Sequence, residues 1–138
     1  MELPSLDKHG FVLYGYIHNT FMNDDFGLDD LSKIEGFEWD SANIDKNRDK
    51  HHTEPKESEE VFFNKPIIFL KDPKHSTKNE RRFGVLGKTN AERKLEIYFT
   101  LRNNKIRIIA AWDMNKRGRA VFINYEEREK RGENKNGT

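Results

Sequence analysis

Basic side chains are concentrated near the C-terminal end of this chain, in a pattern suited to binding phosphate. Residues 102–119 contain six Lys or Arg and one acid, Asp113, although the whole 138-residue chain has a net charge of only +1. Phosphate backbones are the commonest partners of such a focused positive field. RNA can be cleaved through its own 2′-hydroxyl if a protein moves two protons and stabilises the charged phosphorane, and no metal is required. The cluster therefore predicts contact with nucleic acid and is compatible with RNA cleavage.

Six residues are candidates for catalysis of that reaction. They stand at the end of the first predicted helix, on the second and last predicted strands and on the final helix: Lys50, His51, Arg82, Arg107, Lys116 and Arg117. Arginine suits the phosphorane because its planar fork binds two oxygens at once. Glu80 and Tyr98 are weaker candidates. The alternative interpretation is a solvated face for the helix cations and an exposed sheet surface for Arg82 and Arg107.

Further residues near these candidates are suited to holding RNA. They are Lys46, Arg102, Lys105, Trp112 and Arg119. An indole ring can stack on a base, and Trp112 stands where a strand ends beside the basic helix. Packing within the protein is an equal alternative for Trp112, whereas Trp39 is predicted to be a core anchor.

Neither a metal nor a cofactor is expected. His51 and His52 are adjacent, and adjacent side chains on a helix point apart, so they make a poor chelating pair. We expect an exposed, ordinary role for His75 in the polar loop 72–77. The chain has no cysteine, which excludes disulfides, thiolate zinc sites and cysteine catalysis. Phosphate-binding glycine loops and the common hydrolase motifs do not occur in the sequence.

Composition predicts one small domain built on aromatic residues. Charged residues (36%) outnumber hydrophobic ones (34%), which argues against a large core, but ten Phe and four Tyr add a large apolar area per residue. There is no run of 18 apolar residues and no basic-then-apolar pattern at the N-terminus. We therefore expect a cytoplasmic protein.

The hydrophobic periodicity predicts an α+β fold, with two helices, about four antiparallel strands and a last helix. Asp40 is a suitable N-cap for the first helix, Pro55 suits the start of the second, and Asn103-Asn104 suits a two-residue hairpin turn. Predicted helices cover residues 41–50, a segment from residue 54 and a segment from residue 114, and predicted strands cover 66–70, 82–87, 94–102 and 105–112. On the last strand, Ile106, Ile108, Ala110 and Trp112 are expected to face inward.

Three regions are expected along the chain. Residues 1–36 form an acidic extension, with a strand at 11–17 and a short helix at 26–34. Residues 37–126 form the main domain, and the charged residues 127–138 form a disordered tail. The extension has the opposite charge to the basic cluster, so it could lie against that surface.

Five sequence segments, in order, resemble those of a known family. They are Phe37-Glu-Trp-Asp, Asn47-x-x-Lys50-His51, Glu80-Arg-Arg-Phe with Gly87-Lys-Thr, Ile106-Arg-Ile-Ile-Ala and Asp113-Met-Asn-Lys-Arg. Together they resemble the BrnT toxins of the RelE-like superfamily over residues 37–125. The resemblance implies a RelE-like fold and a ribonuclease toxin of a type II toxin–antitoxin pair. It also implies a BrnA-like antitoxin that binds DNA, with which the toxin represses its own operon.

The chain departs from the family pattern at three places. Gly118 stands where the family usually has Glu, Ala110-Ala111-Trp112 where it often has Ser-Ala-Arg, and Phe122 where it usually has Tyr. These departures support a second hypothesis, a catalytically attenuated module that acts through antitoxin or nucleic-acid binding. A third hypothesis is a plain nucleic-acid-binding domain, whose affinity would depend strongly on salt.

Overall fold

The computed structural model describes residues 5–6, 12–13 and 33–136, which form three α-helices and one sheet. The helices are α1 (Ser41–His51), α2 (Pro55–Val61) and α3 (Lys116–Asn136). The strands are β1 (Ser5–Leu6), β2 (Val12–Leu13), β3 (Gly36–Glu38), β4 (Ile68–Lys71), β5 (Arg82–Lys88), β6 (Lys94–Arg102) and β7 (Lys105–Asp113). A 3-10 turn, Pro73–His75, follows β4. The predicted α+β class is confirmed.

The sheet is mixed, with one more strand in the main domain than the sequence predicts. Its order is β1-β2-β4-β5-β6-β7-β3, and β3 pairs with β7 in parallel while the other neighbours are antiparallel. Strand β3 has only three residues, too few to show an alternation of apolar and polar side chains in the sequence. It is recognised as a strand by its pairing with β7. The β6–β7 turn is as predicted, because Asn103 and Asn104 both have positive φ (53° and 61°).

A β-bulge at Ile109 corrects the predicted orientation of β7. Phe99 pairs with Ile108 but Tyr98 pairs with Ala110, so Ile109 is the extra residue. Beyond the bulge the alternation is inverted, and Ala111 joins the core while Trp112 moves to the opposite face. The prediction that Ala110 and Trp112 face inward with Ile106 was wrong, since period-two alternation assumes an unbroken ladder.

Helix α1 covers the outer edge of β7 where β3 ends. Asn43 Nδ2 lies 3.4 Å from the Ile108 carbonyl oxygen, and Asn47 Oδ1 accepts a hydrogen bond from the Ala111 N–H at 3.2 Å. Asn47 is 2% exposed. Amide side chains therefore take the place of a neighbouring strand beside the bulge, which satisfies backbone groups that would otherwise be unpaired.

The two faces of the sheet bury different clusters. Helix α2, through Val61, lies on the side of a large aromatic core that includes Phe69, Phe83, Phe99 and the partly buried Trp39. The Trp39 indole N–H donates to Glu59 at 2.8 Å, so Trp39 is an anchor of this side, as predicted. On the other side, Phe122 of α3 packs in a smaller cluster that contains Ile68, Leu70, Leu86 and Met114.

Helix α3 continues to Asn136, which differs from the disordered tail predicted from residue 127. The apolar stripe ends near Tyr125, but Glu, Lys and Arg are good helix formers and propagate the helix without it. Of the N-terminal extension, Val12–Leu13 pairs with β4. The rest of the predicted strand at 11–17, and all but the last two residues of the predicted helix at 26–34, lie outside the described residues. No helix in the described part of the chain is long and apolar enough to cross a membrane.

Candidate active site

Two of the predicted catalytic arginines lie in one row across the sheet. Arg82 of β5 pairs with Thr100 of β6, and Thr100 pairs with Arg107 of β7. Directly paired residues share a face, and neighbouring strands are about 4.8 Å apart, so the two arginine Cα atoms are about 10 Å apart on one surface. We call this surface, which α3 partly covers, the α3 face. Arg82 and Arg107 are both half-buried there.

Carboxylates hold both arginines in place. Arg107 donates to Glu38 Oε1 at 3.1 Å and to Asp40 Oδ2 at 2.6 Å, and Arg82 Nε donates to Glu80 Oε1 at 3.0 Å. Asp40 also caps α1 by accepting from the Asn43 N–H at 2.7 Å. The orientation of Arg107 is therefore tied to the start of α1 and to β3.

Tyr98 lies one rung further along the α3 face. It pairs with Gly84 and Ala110 and donates its hydroxyl proton to Glu96. Burial, followed by the hydrogen bond to Glu96, raises the pKa of Tyr98 well above its usual value of 10, and the nearby charge of Arg117 acts in the opposite direction. Tyr98 is therefore a hydrogen-bond donor at neutral pH and a poor base.

Trp112 lies a further rung along and contacts two other rings. Its ring centroid is 5.4 Å from that of Tyr98 and 5.4 Å from that of His51, at tilts of 36° and 55°. Thr100 and Glu96, the partners of Arg107 and Trp112, are four residues apart on β6, so Trp112 is about 13 Å along the sheet from the arginine row.

Comparison with known families decides what kind of protein carries this face. Residues 39–118, more than half of the chain, match the family described as the ribonuclease toxin BrnT of type II toxin–antitoxin systems. The chain belongs to the BrnT family. The match begins at Trp39 and ends at Gly118, so it contains α1, α2, strands β4 to β7 and the first residues of α3. No curated protein matches the chain.

The structure divides the predicted catalytic residues of this BrnT chain into two groups. Arg82 and Arg107 form the row at one end of the α3 face. His51 contacts Trp112 near the other end, and Arg117 influences Tyr98 from the first turn of α3. Lys50 and Lys116 are exposed at the end of α1 and at the start of α3. Glu80, one of the weaker candidates, is the proton-transfer group that the structure shows beside the arginine row, and its carboxylate is already paired with Arg82.

The predicted RNA-contacting residues are equally dispersed. Arg102 and Lys105 flank the β6–β7 turn, where Arg102 Nη1 is 4.0 Å from Glu38 Oε1. Arg119 Nε donates to the Met114 carbonyl at 3.3 Å, and Lys46 is half-buried on α1. A groove of about 480 Å³ continues from the arginine row towards the turn, and it is lined by Lys78, Asn79, Glu80, Arg81, Phe83, Thr100, Leu101, Arg102 and Arg107. Arg102 and Arg107 therefore line the same groove.

Sequence reasoning missed three polar features of the BrnT domain. Glu96, which is 8% exposed, was treated as one polar position in the alternation of β6. Arg93 joins the α1–α2 junction to β7, with hydrogen bonds to the His51 and His52 carbonyls, Glu57 and Asp113. Asp72 is buried and contacts His75, and their spacing of three residues after a strand is a signal that could have been recognised.

Gly118 is close to the buried carboxylate of Glu96. A Cβ atom at Gly118 would lie 3.4 Å from Asn115 Oδ1 and 3.6 Å from Glu96 Oε1. Asn115 accepts from the Gly118 N–H at 2.7 Å, so Asn115 caps α3 and Gly118 takes the third helical position. That is the position at which Glu forms a capping box, so a Glu there has a structural role available as well as a catalytic one.

Within the described residues, His, Asp and Glu form no group of three placed to hold a metal ion.

Proposed function

We propose that this chain is an endoribonuclease that cleaves RNA at the α3 face by attack of the 2′-hydroxyl, without a metal. The observation that carries the proposal is the row Arg82–Thr100–Arg107, in which two half-buried arginines on the same face of the sheet, two strands apart, are oriented by carboxylates. The membership of the BrnT family supports the same chemistry.

The arginine row is suited to the charged intermediate of that reaction. The phosphorane carries more negative charge than the phosphodiester, so a preorganised guanidinium stabilises it more strongly than it stabilises the substrate. Arg107 is held at two points by Glu38 and Asp40, so it needs little reorganisation when charge develops. Arg82 approaches from the other side of Thr100.

The second group of residues is suited to holding a neighbouring part of the same RNA strand. Lys50, His51, Trp112, Lys116 and Arg117 come from the ends of α1, β7 and the start of α3. The rings of Tyr98 and His51 flank Trp112, so it offers a smaller surface to a base than a free indole would. We assign Lys50, Lys116 and Arg117 to phosphates on this side, and the groove beside Arg102 to those on the other.

The proposed partners follow from family membership. The antitoxin would be BrnA-like, would neutralise the toxin in the cytoplasm and would bring the complex to operator DNA, where it represses transcription. The described residues place the acidic β3–α1 corner, with Glu38 and Asp40, next to Arg107. An antitoxin that blocks RNA binding at this corner would therefore contact both the negative Glu38 and Asp40 and the positive Arg107.

The test is cleavage of defined RNA oligonucleotides by the purified protein in EDTA. We expect cleavage with a 2′,3′-cyclic phosphate and a 5′-hydroxyl as products, and no cleavage of an oligonucleotide with 2′-deoxyribose throughout. Cleavage that stops in EDTA, or products with a 3′-hydroxyl, would contradict the proposed mechanism.

A second candidate function rests on Gly118 and Trp112. If neither the wild type nor Gly118→Glu cleaves RNA but both bind it, the chain is an attenuated member that acts through RNA or antitoxin binding. A protein that binds nucleic acid of any sequence with a steep salt dependence, and without turnover, would instead be a plain binding domain.

A further inference from the structure

A buried carboxylate and an exposed imidazole meet in the turn after β4. Asp72 is 2% exposed, and the Nδ1 atom of His75 is 3.0 Å from each of its two carboxylate oxygens. The His75 side chain is 56% exposed, so the opposite side of the ring faces solvent. When Nδ1 carries the proton and donates it to Asp72, Nε2 holds the lone pair.

The turn that carries these two residues is firmly held. The His75 backbone N–H donates to Asp72 Oδ1 at 3.3 Å, and the Ser76 hydroxyl donates to the Asp72 carbonyl at 2.7 Å. Ser76 in turn accepts from the Arg82 N–H at 2.9 Å. A turn that needed only a cap would use one carboxylate oxygen. Here both oxygens contact the ring, which fixes the imidazole as well as the backbone.

The pair lies at the end of the arginine row. Lys71 pairs with Phe83, and the Asp72 N–H donates to the Arg82 carbonyl at 3.3 Å, so Asp72 continues the ladder opposite Arg82. Asp72 is therefore about one strand spacing, or about 5 Å, from Arg82 in the backbone. Its charge also acts on the Tyr98 hydroxyl, which is on the α3 face.

We propose that His75 is the general base of the ribonuclease reaction and that Asp72 is the residue that positions it. This inference rests on the proposed function and supplies a base other than Glu80, whose carboxylate is paired with Arg82. His75 Nε2 takes the proton of the 2′-hydroxyl, and O2′ forms a bond to phosphorus. The bond from phosphorus to the 5′-oxygen breaks, that oxygen takes a proton from water, and the imidazolium returns its proton to solvent. Arg82 and Arg107 stabilise the negative charge of the phosphorane, which exists after O2′ has bonded to phosphorus and before the 5′-oxygen leaves.

The experiment compares His75→Ala with the wild type in the EDTA cleavage assay, with and without added imidazole. We expect about a 100-fold loss of cleavage rate, since general bases contribute about 10²–10⁴-fold, and recovery when imidazole is added. The matched control is His52→Asn, which changes an exposed histidine in a left-handed conformation that Asn tolerates. It should cleave like the wild type.

The role of Asp72 is tested by the recovery of cleavage when imidazole is added. If Asp72 were needed only for folding, its replacement in a folded variant would not change that recovery. Imidazole should rescue His75→Ala but not the double variant Asp72→Asn/His75→Ala, in which the carboxylate that orients the ring is gone. Circular dichroism and thermal unfolding establish that each variant is folded. Equal rescue of both folded variants would overturn the positioning role.

Failure of this inference differs from failure of the proposed function. If the wild type cleaves RNA and His75→Ala cleaves equally well, His75 is not the base, although the ribonuclease proposal stands. If the wild type does not cleave, the proposed function fails, and the site of RNA contact is read from the His75 ring resonances in NMR spectra. A 2′-deoxy oligonucleotide that leaves these resonances unchanged would overturn the place of His75 beside the RNA.

Discussion

Asn47 of α1 accepts a hydrogen bond from the backbone N–H of Ala111 at 3.2 Å, beside the β-bulge that turns Trp112 to the α3 face. This one amide therefore connects the first helix to the orientation of a strand more than sixty residues away. The N–H of Ala111 faces the edge of β7 that β3 does not reach, and without Asn47 it would lose its acceptor in a buried place.

Asn47→Ala should lower the free energy of unfolding by about 1–3 kcal/mol, because a buried backbone donor is left unsatisfied. The measurement is urea denaturation followed by circular dichroism. Asn79→Ala, which truncates an exposed amide in the loop before β5, is the control and should change stability by less than about 0.5 kcal/mol. Equal effects of the two substitutions would contradict the role given to Asn47.

Arg107→Gln should lower kcat/KM for RNA cleavage by about 10²–10³-fold, since a preorganised donor to the developing charge is removed. Arg107→Lys keeps the charge but has no planar guanidinium whose two arms reach Glu38 and Asp40 separately, so we expect a loss nearly as large. Arg131→Gln, an exposed change on α3, should have wild-type activity. Full activity of Arg107→Lys would mean that charge alone is needed.

Gly118→Glu should cleave RNA faster than Gly118→Gln if the missing carboxylate attenuates this chain. The two variants have the same size and both can form the capping box with Asn115, so their difference isolates the charge. Gly118→Gln should be more stable than the wild type by up to about 1 kcal/mol, because glycine is a poor helix residue. Gly118→Glu should gain less, because its carboxylate would lie near that of Glu96. Equal rates for Glu and Gln, above or below the wild type, would show that position 118 acts through the helix.

The stability of the protein should fall as pH rises above 10, and Tyr98→Phe should weaken this dependence. Burial and Glu96 raise the pKa of Tyr98 in the folded state above the value of 10 that it has when unfolded. The unfolded state therefore releases the Tyr98 proton first, and stability that is fully present below pH 10 is lost above it. Unfolding free energies between pH 8 and 11 test this, and parallel curves for the two proteins would contradict it.

Arg93→Lys should lower the free energy of unfolding by about 2–3 kcal/mol, because lysine cannot replace a guanidinium that contacts Asp113, Glu57 and two carbonyls. Thermal unfolding measures the change. Arg128→Lys on α3, which keeps a cation near Tyr125, is the matched control and should be nearly neutral. A neutral Arg93→Lys would mean that solvent satisfies these groups.

Elements specified by neighbouring residues could be predicted from the sequence. Strand β6 and its turn were located to the residue, because Leu95, Ile97 and Phe99 alternate strictly and Asn103 tolerates positive φ. The cap at Asp40 and the proline at the start of α2 were equally informative. The order of the family segments likewise identified the BrnT resemblance.

The arrangement of the site depended on residues far apart in the chain. Arg82 and Arg107 were predicted from the sequence as catalytic candidates. That they share one row, and that this row is distant from His51 and Trp112, follows from strand register. The bulge at Ile109 contains no glycine, the residue that marks one common type of bulge, so the inversion after it could not be anticipated.

What the sequence by itself determined was therefore the local conformation and the chemical types available: strands with a buried side, capped helices and an excess of arginine and lysine. Only the tertiary structure decided which carboxylates hold Arg107, which face Trp112 occupies and that Asp72 lies opposite Arg82. The physical reason is range. Dihedral preferences and caps act over about four residues, whereas ion pairs and strand register join residues that the chain separates by ten to seventy positions.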